Sequence, residues 1–353
     1  MRTGDEPSIG RSAAEISCPS APVEMFSDLS DWFIQPPTCD DVLRARREIE
    51  NHVRVTPLLE SESLNHSVGG RILVKAEGLQ VTGSFKTRGV LNRLSFLRAE
   101  QLRNEVVCYS SGNHGHAVSW ASRRRDCKAL IVMPHDAPTV KVDAVRSYGA
   151  EVRMYDRRTE DREEIVKEIA FERSATIIHP HNDRAIIAGA ATLGVEVQVQ
   201  AKEMGLKLDA IIAGCGGGGL AAGCAIACPA LELSIIEPLG FDDMARSLKF
   251  GHRVRNSPEA TSICDALLAP TPSDLPFRIL CGRSVHSMSV TDHEVRLAMR
   301  FAARHFGLIA EPGGILPLAA ILAGRLNVRG RTSVAVISGS NVDLETYTAA
   351  LAV

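Results

Sequence analysis

Lys86 is the residue whose type and position most clearly allow covalent chemistry. It follows the turn 82–84, whose Thr-Gly-Ser sequence supplies loop chemistry and a helix cap after the strand-like run 71–75. A cation is disfavoured in the first turn of a helix, because the helix macrodipole places partial positive charge there. In a partly dry cleft this position lowers the pKa of the ammonium and favours the neutral amine, which can attack a carbonyl. Considered alone, Lys86 would be interpreted as an ordinary surface lysine, and the other motifs of the chain are needed to favour the catalytic interpretation.

The glycine-rich segment 214–219 is a second candidate binding motif. It lies between the strand-like run 208–213 and a helix of small residues that begins at Leu220. Its sequence satisfies G-x-G-x-x-G, and Glu237 follows roughly twenty residues later, so a dinucleotide such as NAD is one candidate ligand. Four consecutive glycines at a helix N-terminus also allow backbone N–H groups to close around a single phosphate. A monophosphate there, together with a Schiff-base lysine at Lys86, describes pyridoxal phosphate (PLP).

Two polar turns complete the set of motifs. Residues 108–116, Cys-Tyr-Ser-Ser-Gly-Asn-His-Gly-His, follow a strand-like segment and precede a helical one. Residues 334–341, Val-Ala-Val-Ile-Ser-Gly-Ser-Asn, read as a strand that ends in a turn. With the lysine loop and the glycine loop, these turns resemble in order the serine/threonine dehydratase and serine racemase family of PLP enzymes, which is tryptophan-synthase-β-like and of fold type II. The resemblance extends from about Pro37 to the C-terminus.

The resemblance implies an α/β fold with two lobes, each a mostly parallel twisted sheet with helices on both faces. The alternation of strand-like and helical segments through most of the chain also indicates parallel sheets covered by helices. By resemblance, residues 37–104 and 183–353 form a large PLP-binding domain, and residues 105–182 form a small domain. Residues 1–36 are rich in Ser, Pro, Glu and Asp without periodicity, and we expect a flexible extension there.

Several residues are implied to surround the cofactor. Lys86 would carry the Schiff base, Phe85 would pack beside the cofactor unless it is simply core, and Ser338 would face the pyridine nitrogen. Ser340 stands where the family has a second glycine. A neutral hydroxyl leaves that nitrogen unprotonated, so the ring is a milder electron sink and loss of a β-substituent is favoured over transamination. The implied phosphate ligands are Gly216, Gly217, Gly218, Gly219 and Leu220.

The turn around residue 111 is implied to bind the substrate. Asn113 resembles the asparagine that hydrogen-bonds the cofactor's phenolic oxygen. Ser111 matches the serine that in racemases acts as acid or base on the cofactor face opposite the lysine, and a purely structural turn is the alternative. The residues implied to hold the substrate carboxylate are Ser110, Ser111, Asn113 and His114.

A metal site is also implied. Glu237, Phe241 and Asp243 line up with a divalent-cation site of the racemase branch, in which two carboxylates and a backbone carbonyl bind Mg²⁺ or Ca²⁺. Two solvated acids in a loop are the alternative. The segments 240–248 and 262–268 look more like a dehydratase subgroup that includes hydroxyectoine-utilisation dehydratases.

Two departures from the family pattern concern the substrate rather than the cofactor. His181 stands where relatives have asparagine or phenylalanine, and Ala190 replaces a usual glutamine. His181 is therefore either a substrate contact or a histidine whose ring nitrogens are hydrogen-bonded to neighbouring residues.

Composition narrows the class of protein. The chain has 353 residues, 45% of them hydrophobic and 23% charged, with net charge −2, which gives no indication of a nucleic-acid or membrane partner. Its nine scattered cysteines indicate reduced thiols and a cytoplasmic location. The resemblance implies a homodimeric PLP-dependent ammonia-lyase that converts L-threonine, L-serine or a related hydroxy-amino acid to a 2-oxo acid and ammonia. A serine or aspartate racemase is the nearest alternative, and an NAD-dependent dehydrogenase is the alternative of another class.

Overall fold

The computed structural model describes residues 33–110 and 112–352. Its ten strands are β1 Leu58–Glu60, β2 Arg71–Ala76, β3 Val106–Tyr109, β4 Ala129–Pro134, β5 Glu151–Tyr155, β6 Thr176–Ile177, β7 Ala210–Gly214, β8 Glu232–Pro238, β9 Val285–Val290 and β10 Thr332–Ile337. They form a six-stranded sheet in the order β1-β2-β10-β7-β8-β9 and a four-stranded sheet in the order β5-β4-β3-β6.

The α-helices alternate with these strands along the chain. Their bounds are α1 Cys39–Ile49, α2 Glu62–Val68, α3 Lys86–Ser95, α4 Ala99–Arg103, α5 Asn113–Arg124, α6 Thr139–Ser147, α7 Arg162–Arg173, α8 Arg184–Glu203, α9 Gly219–Ala227, α10 Asp243–Phe250, α11 Asp274–Cys281, α12 Asp292–Phe306, α13 Leu316–Leu322 and α14 Leu344–Leu351. Short 3₁₀ helices occupy Glu77–Leu79, Asp265–Leu267 and Pro312–Gly314.

Both sheets are mostly parallel, which confirms the predicted α/β class. Among the described strands only β1 pairs antiparallel, with β2; the remaining pairings are parallel. The four-stranded sheet takes its strands from residues 106–177, within the segment 105–182 assigned to the small domain. The division of the chain into domains at these boundaries stays a prediction.

The large sheet is buried on both faces. Ile211 and Val336 belong to one hydrophobic cluster, whereas their chain neighbours Ile212 and Ile337 belong to another. Because successive side chains of a strand point to opposite faces, these are the two covered sides of one sheet. Such strands read as continuous apolar runs, which is why β7 and β10 could be recognised from sequence.

The ends of parallel strands bring the motifs together. Ser338 follows β10 and Gly214 ends β7, and these two strands are neighbours in the large sheet. Ser84 forms an isolated bridge with Gly339, and the backbone N–H of Phe85 donates to the Ser338 carbonyl at 3.0 Å. The loop that precedes Lys86 is therefore attached directly to the turn that carries Ser338.

Three further expectations concern the rest of the chain. Most of the predicted N-terminal extension lies outside the described residues, but at its end Phe33 packs edge-on against Phe96, with ring centroids 5.7 Å apart. Within the described residues, no helix combines the length and apolarity that a membrane span requires. Seven cysteines of this part of the chain have free thiols. The expectation of reduced thiols is wrong at Cys39, which is disulfide-bonded.

Candidate active site

One cavity collects the four sequence motifs. Of the predicted site residues, those that line it are Phe85, Lys86, Ser110, Asn113, His114, Gly216, Gly217, Gly218, Gly219, Leu220 and Ser338. Ser111 lies outside the described residues. Glu237, Phe241 and Asp243 do not line this cavity. The individual roles given to these residues remain predictions, but the co-location that those roles require is present.

Lys86 is the first residue of α3 and presents its amine to the cavity. Its Nζ donates to the carbonyl of Pro180 at 2.8 Å. Burial lowers the pKa of the ammonium to about 8, against the opposing influence of Cys108 and Glu311. The direction is the one expected from sequence, and its main cause is loss of hydration. At neutral pH a usable fraction of the amine is therefore unprotonated.

This shift predicts the pH dependence of Lys86 reactivity. In the cofactor-free protein, we expect Lys86 to be acetylated with a midpoint near pH 8, because only the neutral amine is nucleophilic. Competitive labelling with acetic anhydride from pH 6 to 11, followed by peptide mass spectrometry, measures this midpoint. The exposed Lys207 in the same digest is the internal reference. A midpoint for Lys86 above 10 would contradict the proposed environment.

The glycine loop forms a cradle that side chains would fill. Gly218 has φ +94°, a left-handed conformation that favours glycine, and a Cβ there would lie 2.6 Å from Cε of Met244. A Cβ on Gly217 would collide with the ring of His181. The loop is buried, yet the N–H groups of residues 216–219 find no acceptor among the described residues. Unpaired buried donors at the start of α9 fit an anion such as a phosphate.

Ser338 matches the position expected for a partner of a ring nitrogen. Its side chain faces the cavity, and its hydroxyl has no hydrogen-bond partner among the described residues. Its backbone is held on both sides, since its N–H donates to Gly314 and its carbonyl accepts from Phe85. The departure at Ser340 is also explained, because its hydroxyl donates to the Gly78 carbonyl at 2.7 Å. That hydroxyl is therefore occupied away from the cavity.

Asn113 is oriented by a buried network that the sequence did not reveal. Its Nδ2 donates to Glu311, and its Oδ1 accepts from Asn341 at 2.8 Å. Lys141 in turn donates to Glu311 at 3.2 Å and to Asp265 at 2.6 Å. Burial raises the pKa of Glu311 even though the Lys141 cation lies beside it. Both ends of the Asn113 amide are thus fixed, which leaves its second Nδ2 hydrogen for a ligand.

The turn before α5 provides backbone donors rather than side-chain donors. Ser110 Oγ accepts from the N–H groups of Gly112 at 3.0 Å and Gly115 at 2.9 Å. The His114 ring bonds the Ile178 carbonyl at 2.9 Å, and burial holds its pKa well below its ordinary value, so its single N–H is already used. The first-turn N–H groups of Asn113 and His114 have no acceptor among the described residues. These groups can bind a carboxylate.

The predicted metal ligands Glu237, Phe241 and Asp243 are buried and lie outside the cavity lining. Both Glu237 oxygens accept 2.9 Å hydrogen bonds from the N–H groups of Met244 and Ala245, while Asp243 Oδ2 has no hydrogen-bond partner in the described part of the chain. Burial and the neighbouring Asp243 raise the pKa of Glu237 to about 8. The interpretation of these residues as solvated acids is wrong, since both are fully buried. The orphaned oxygen fits a cation, although the described residues contain no cluster of three or more metal-ligating side chains.

The cavity residues that were not singled out from sequence include Tyr109, Arg157 and Arg162. Arg162 lies with its guanidinium 4.6 Å from the centre of the Tyr109 ring. Arg157 is paired with Asp136 at 2.7 Å, whereas Arg162 forms no ion pair among the described residues. The signal that was available is the charged run 156–164 directly after β5, at the end of a parallel strand, where ligands of α/β proteins bind.

The departure at Ala190 does not change the cavity. Ala190 is buried within α8 and is not part of the lining. His181, in contrast, lies in the wall beside the glycine loop.

The residues of the cavity fit PLP. A low-pKa lysine, a phosphate cradle, a fixed amide and an unpaired serine hydroxyl face one space. A dinucleotide would not explain why the lysine belongs to the same cavity as the glycine loop.

Comparison with known proteins agrees with this interpretation. Residues 49–339 match the family model described as pyridoxal-phosphate dependent enzyme. The chain is 38% identical over 314 residues to a serine racemase of Dictyostelium discoideum, covering 87% of this chain and 95% of that protein. It is 36% identical over 315 residues to an L-threo-3-hydroxyaspartate ammonia-lyase of Pseudomonas sp, covering 88% and 97%. The fold matches a solved threonine deaminase of T.th. with a TM-score of 0.81, 36% identity and coverage of 87% and 99%. The chain therefore belongs to the family of pyridoxal-phosphate dependent enzymes of fold type II that contains these ammonia-lyases and racemases.

Proposed function

We propose that the protein is an ammonia-lyase that removes the β-hydroxyl of a hydroxy-amino acid and releases a 2-oxo acid and ammonia. The observation that supports this most is the placement of the Lys86 amine, with its lowered pKa, in one cavity with the glycine loop and Ser338. The test is a coupled assay for 2-oxo acid with L-threonine, L-serine and L-threo-3-hydroxyaspartate. If the PLP-loaded protein acts on none of these three substrates, the proposal is wrong.

The residues of the cavity have separate roles in the proposed elimination. When bound, PLP supplies the electron sink that stabilises charge at the substrate Cα. The neutral amine of Lys86 would accept the Cα proton of the substrate. The backbone N–H groups of Asn113 and His114 hold the α-carboxylate, and the glycine loop holds the phosphate. Ser338 would donate its hydroxyl hydrogen to the ring nitrogen of bound PLP without protonating it, and a neutral ring nitrogen would moderate the electron sink and favour elimination.

Within this reaction, the cavity favours a substrate with a second carboxylate, such as 3-hydroxyaspartate. Arg162 is the residue that would bind this second carboxylate, because it lines the cavity and has no ion-pair partner among the described residues. Its stacking partner is fixed: the Tyr109 hydroxyl bonds His179 Nε2 at 2.9 Å and Glu163 at 3.3 Å. A guanidinium that lies over an anchored ring and has no ion-pair partner among the described residues retains donors for a carboxylate. Relatives named L-threo-3-hydroxyaspartate ammonia-lyase support this choice.

The second candidate function is racemisation of serine or aspartate, which relatives named serine racemase and a structural neighbour named aspartate racemase favour. Racemisation requires Ser111 to reprotonate Cα from the face opposite Lys86. We expect Ser111→Ala to lose any racemase activity while it retains elimination, as measured by chiral chromatography beside the 2-oxo acid assay. Equal loss of both activities in this variant would contradict separate roles for the two residues.

We further propose that a divalent cation binds Asp243, Glu237 and the carbonyl of Phe241. Saturating Ca²⁺ or Mg²⁺ should raise the Tm of EDTA-treated protein by roughly 4 °C, because a ligand that binds only the folded state stabilises it. Asp243→Asn should remove that shift in differential scanning fluorimetry. An equal shift in the variant would place the cation elsewhere.

Similarity to the family also leads us to propose a homodimer in the cytoplasm. Sedimentation analysis of the purified protein tests the first point, and cell fractionation tests the second.

A further inference from the structure

The turn 179–182 connects the lysine and the glycine loop. Its Pro180 carbonyl accepts the 2.8 Å hydrogen bond from Lys86 Nζ. The next residue, His181, packs on the glycine loop, with its Cβ 3.0 Å from the point where a Cβ of Gly219 would lie. The same imidazole occupies the space above Gly217. A single short segment thus borders both ends of the ligand site.

The backbone of this turn is held firmly. His179 Nδ1 accepts from the N–H groups of His181 at 3.2 Å and Asn182 at 2.8 Å. Asn182 Oδ1 accepts from the N–H of Leu275 at 2.8 Å, which attaches the turn to the start of α11. The rings of His179 and His181 meet edge to face with centroids 5.0 Å apart. The imidazole of His181 is therefore fixed in position before any ligand arrives.

One nitrogen of the His181 ring is used and the other is free. Nδ1 is hydrogen-bonded to the hydroxyl of Ser273, the residue that precedes α11. Nε2 has no hydrogen-bond partner among the described residues, and the side chain lines the cavity. The contact between Ser273 and Nδ1 is compatible with either atom as the donor. Donation from the ring into the cavity requires the tautomer in which the serine hydroxyl donates to Nδ1 and the hydrogen of the neutral imidazole is on Nε2. In that tautomer the ring offers an N–H to the cavity beside the unpaired backbone donors of residues 216–219.

We propose that His181 donates its Nε2–H to the phosphate of bound PLP and so completes the glycine cradle with a side-chain donor. The inference rests on the proposed use of PLP and assigns the departure at position 181 to cofactor retention rather than to the substrate. An imidazole N–H bonded to a dianionic phosphate is a charge-assisted hydrogen bond, stronger than one between neutral groups. In this proposal the donors to the phosphate are the glycine N–H groups and the His181 side chain beside them.

The test compares PLP with pyridoxal, which has the same aldehyde and no phosphate. Dissociation constants of both are measured by absorbance titration of the cofactor-free protein, for wild type and His181→Asn. We expect the substitution to weaken PLP binding about ten- to a hundred-fold, because one charge-assisted hydrogen bond is lost. Pyridoxal binding should change less than about two-fold. Ser273→Ala should weaken PLP binding by a smaller factor, since it removes only the hydrogen bond to Nδ1 that favours the required His181 tautomer.

Control variants separate this role from general damage. The matched control is His286→Asn, an exposed histidine of β9, which should leave both dissociation constants unchanged. Equal PLP affinity in wild type and His181→Asn would overturn the inference, as would an equal loss for PLP and pyridoxal, which indicates damage to the whole cavity. Wild-type protein that binds neither compound would instead contradict the proposed function itself.

Discussion

Lys86→Ala is expected to abolish 2-oxo acid formation, lowering kcat by at least about a thousand-fold. The amine has two roles, attachment of the cofactor and removal of the Cα proton, and alanine can perform neither. The half-buried position of Lys86 in the cavity, with its pKa lowered to about 8, is what suits it for both. The variant should therefore lose the visible absorbance of lysine-bound PLP. It should also lose turnover in the coupled assay at saturating substrate.

The control for this experiment is Lys128→Ala, which removes an exposed lysine directly before β4. It should retain wild-type turnover, and circular dichroism should show that both variants are folded. Turnover by Lys86→Ala within about ten-fold of wild type would require another residue to act as the base, and the assignment of Lys86 would then be wrong.

Arg162→Gln is expected to change substrate preference rather than to stop the reaction. The kcat/KM for L-threo-3-hydroxyaspartate should fall about a hundred-fold, because a bidentate ion pair to the second carboxylate is lost. The kcat/KM for L-serine, which has no second carboxylate, should change less than about three-fold. The ratio of the two values, measured in the same coupled assay, isolates this contact from any general effect on the cavity.

Arg157→Gln is the matched control. Arg157 also lines the cavity, but its guanidinium is already paired with Asp136 at 2.7 Å. Its substitution should lower activity on both substrates by a similar small factor. If Arg162→Gln lost activity equally on serine and hydroxyaspartate, Arg162 would have a general role and the proposed substrate class would not stand.

Sequence reasoning found the parts of the site that are encoded locally. A strand followed by glycines and a helix of small residues predicts a helix from Leu220, and α9 begins one residue earlier, at Gly219. Lys86 is likewise predicted at the start of a helix, and it is the first residue of α3. Three of the motifs follow β2, β7 and β10 of the six-stranded sheet, whose parallel carboxyl ends meet at one edge. The turn 110–116 follows β3 of the other sheet, and only the family resemblance indicated that it joins them. Their co-location in one cavity could therefore be anticipated before any coordinate was known.

The parts that sequence did not provide depend on contacts between distant residues. Asn113 is oriented by Glu311, which is 198 positions away in the chain. Lys141 lies 124 positions from its partner Asp265. No local pattern marks an acid or a lysine as one of the pair. Arg162 was missed for another reason, since its charged run resembles an ordinary solvated face until the ring of Tyr109 is seen beneath it.

At the predicted metal ligands, sequence identified the residues but not their hydrogen bonds. Glu237 and Asp243 are both buried, and burial raises the pKa of both carboxyls, but their role as metal ligands stays a prediction. However, no sequence pattern indicated that the Glu237 oxygens accept from the first N–H groups of α10. This capping role accounts for a buried acid there even without an ion.

The most direct measurement is borohydride reduction of the purified, PLP-loaded protein followed by tryptic peptide mapping. Reduction fixes the cofactor on the lysine that carries it. The account predicts a phosphopyridoxyl group on Lys86, within the peptide 76–88, and absorbance in the visible range before reduction. A phosphopyridoxyl group on a different lysine, or an unlabelled chain with no visible absorbance, would contradict it.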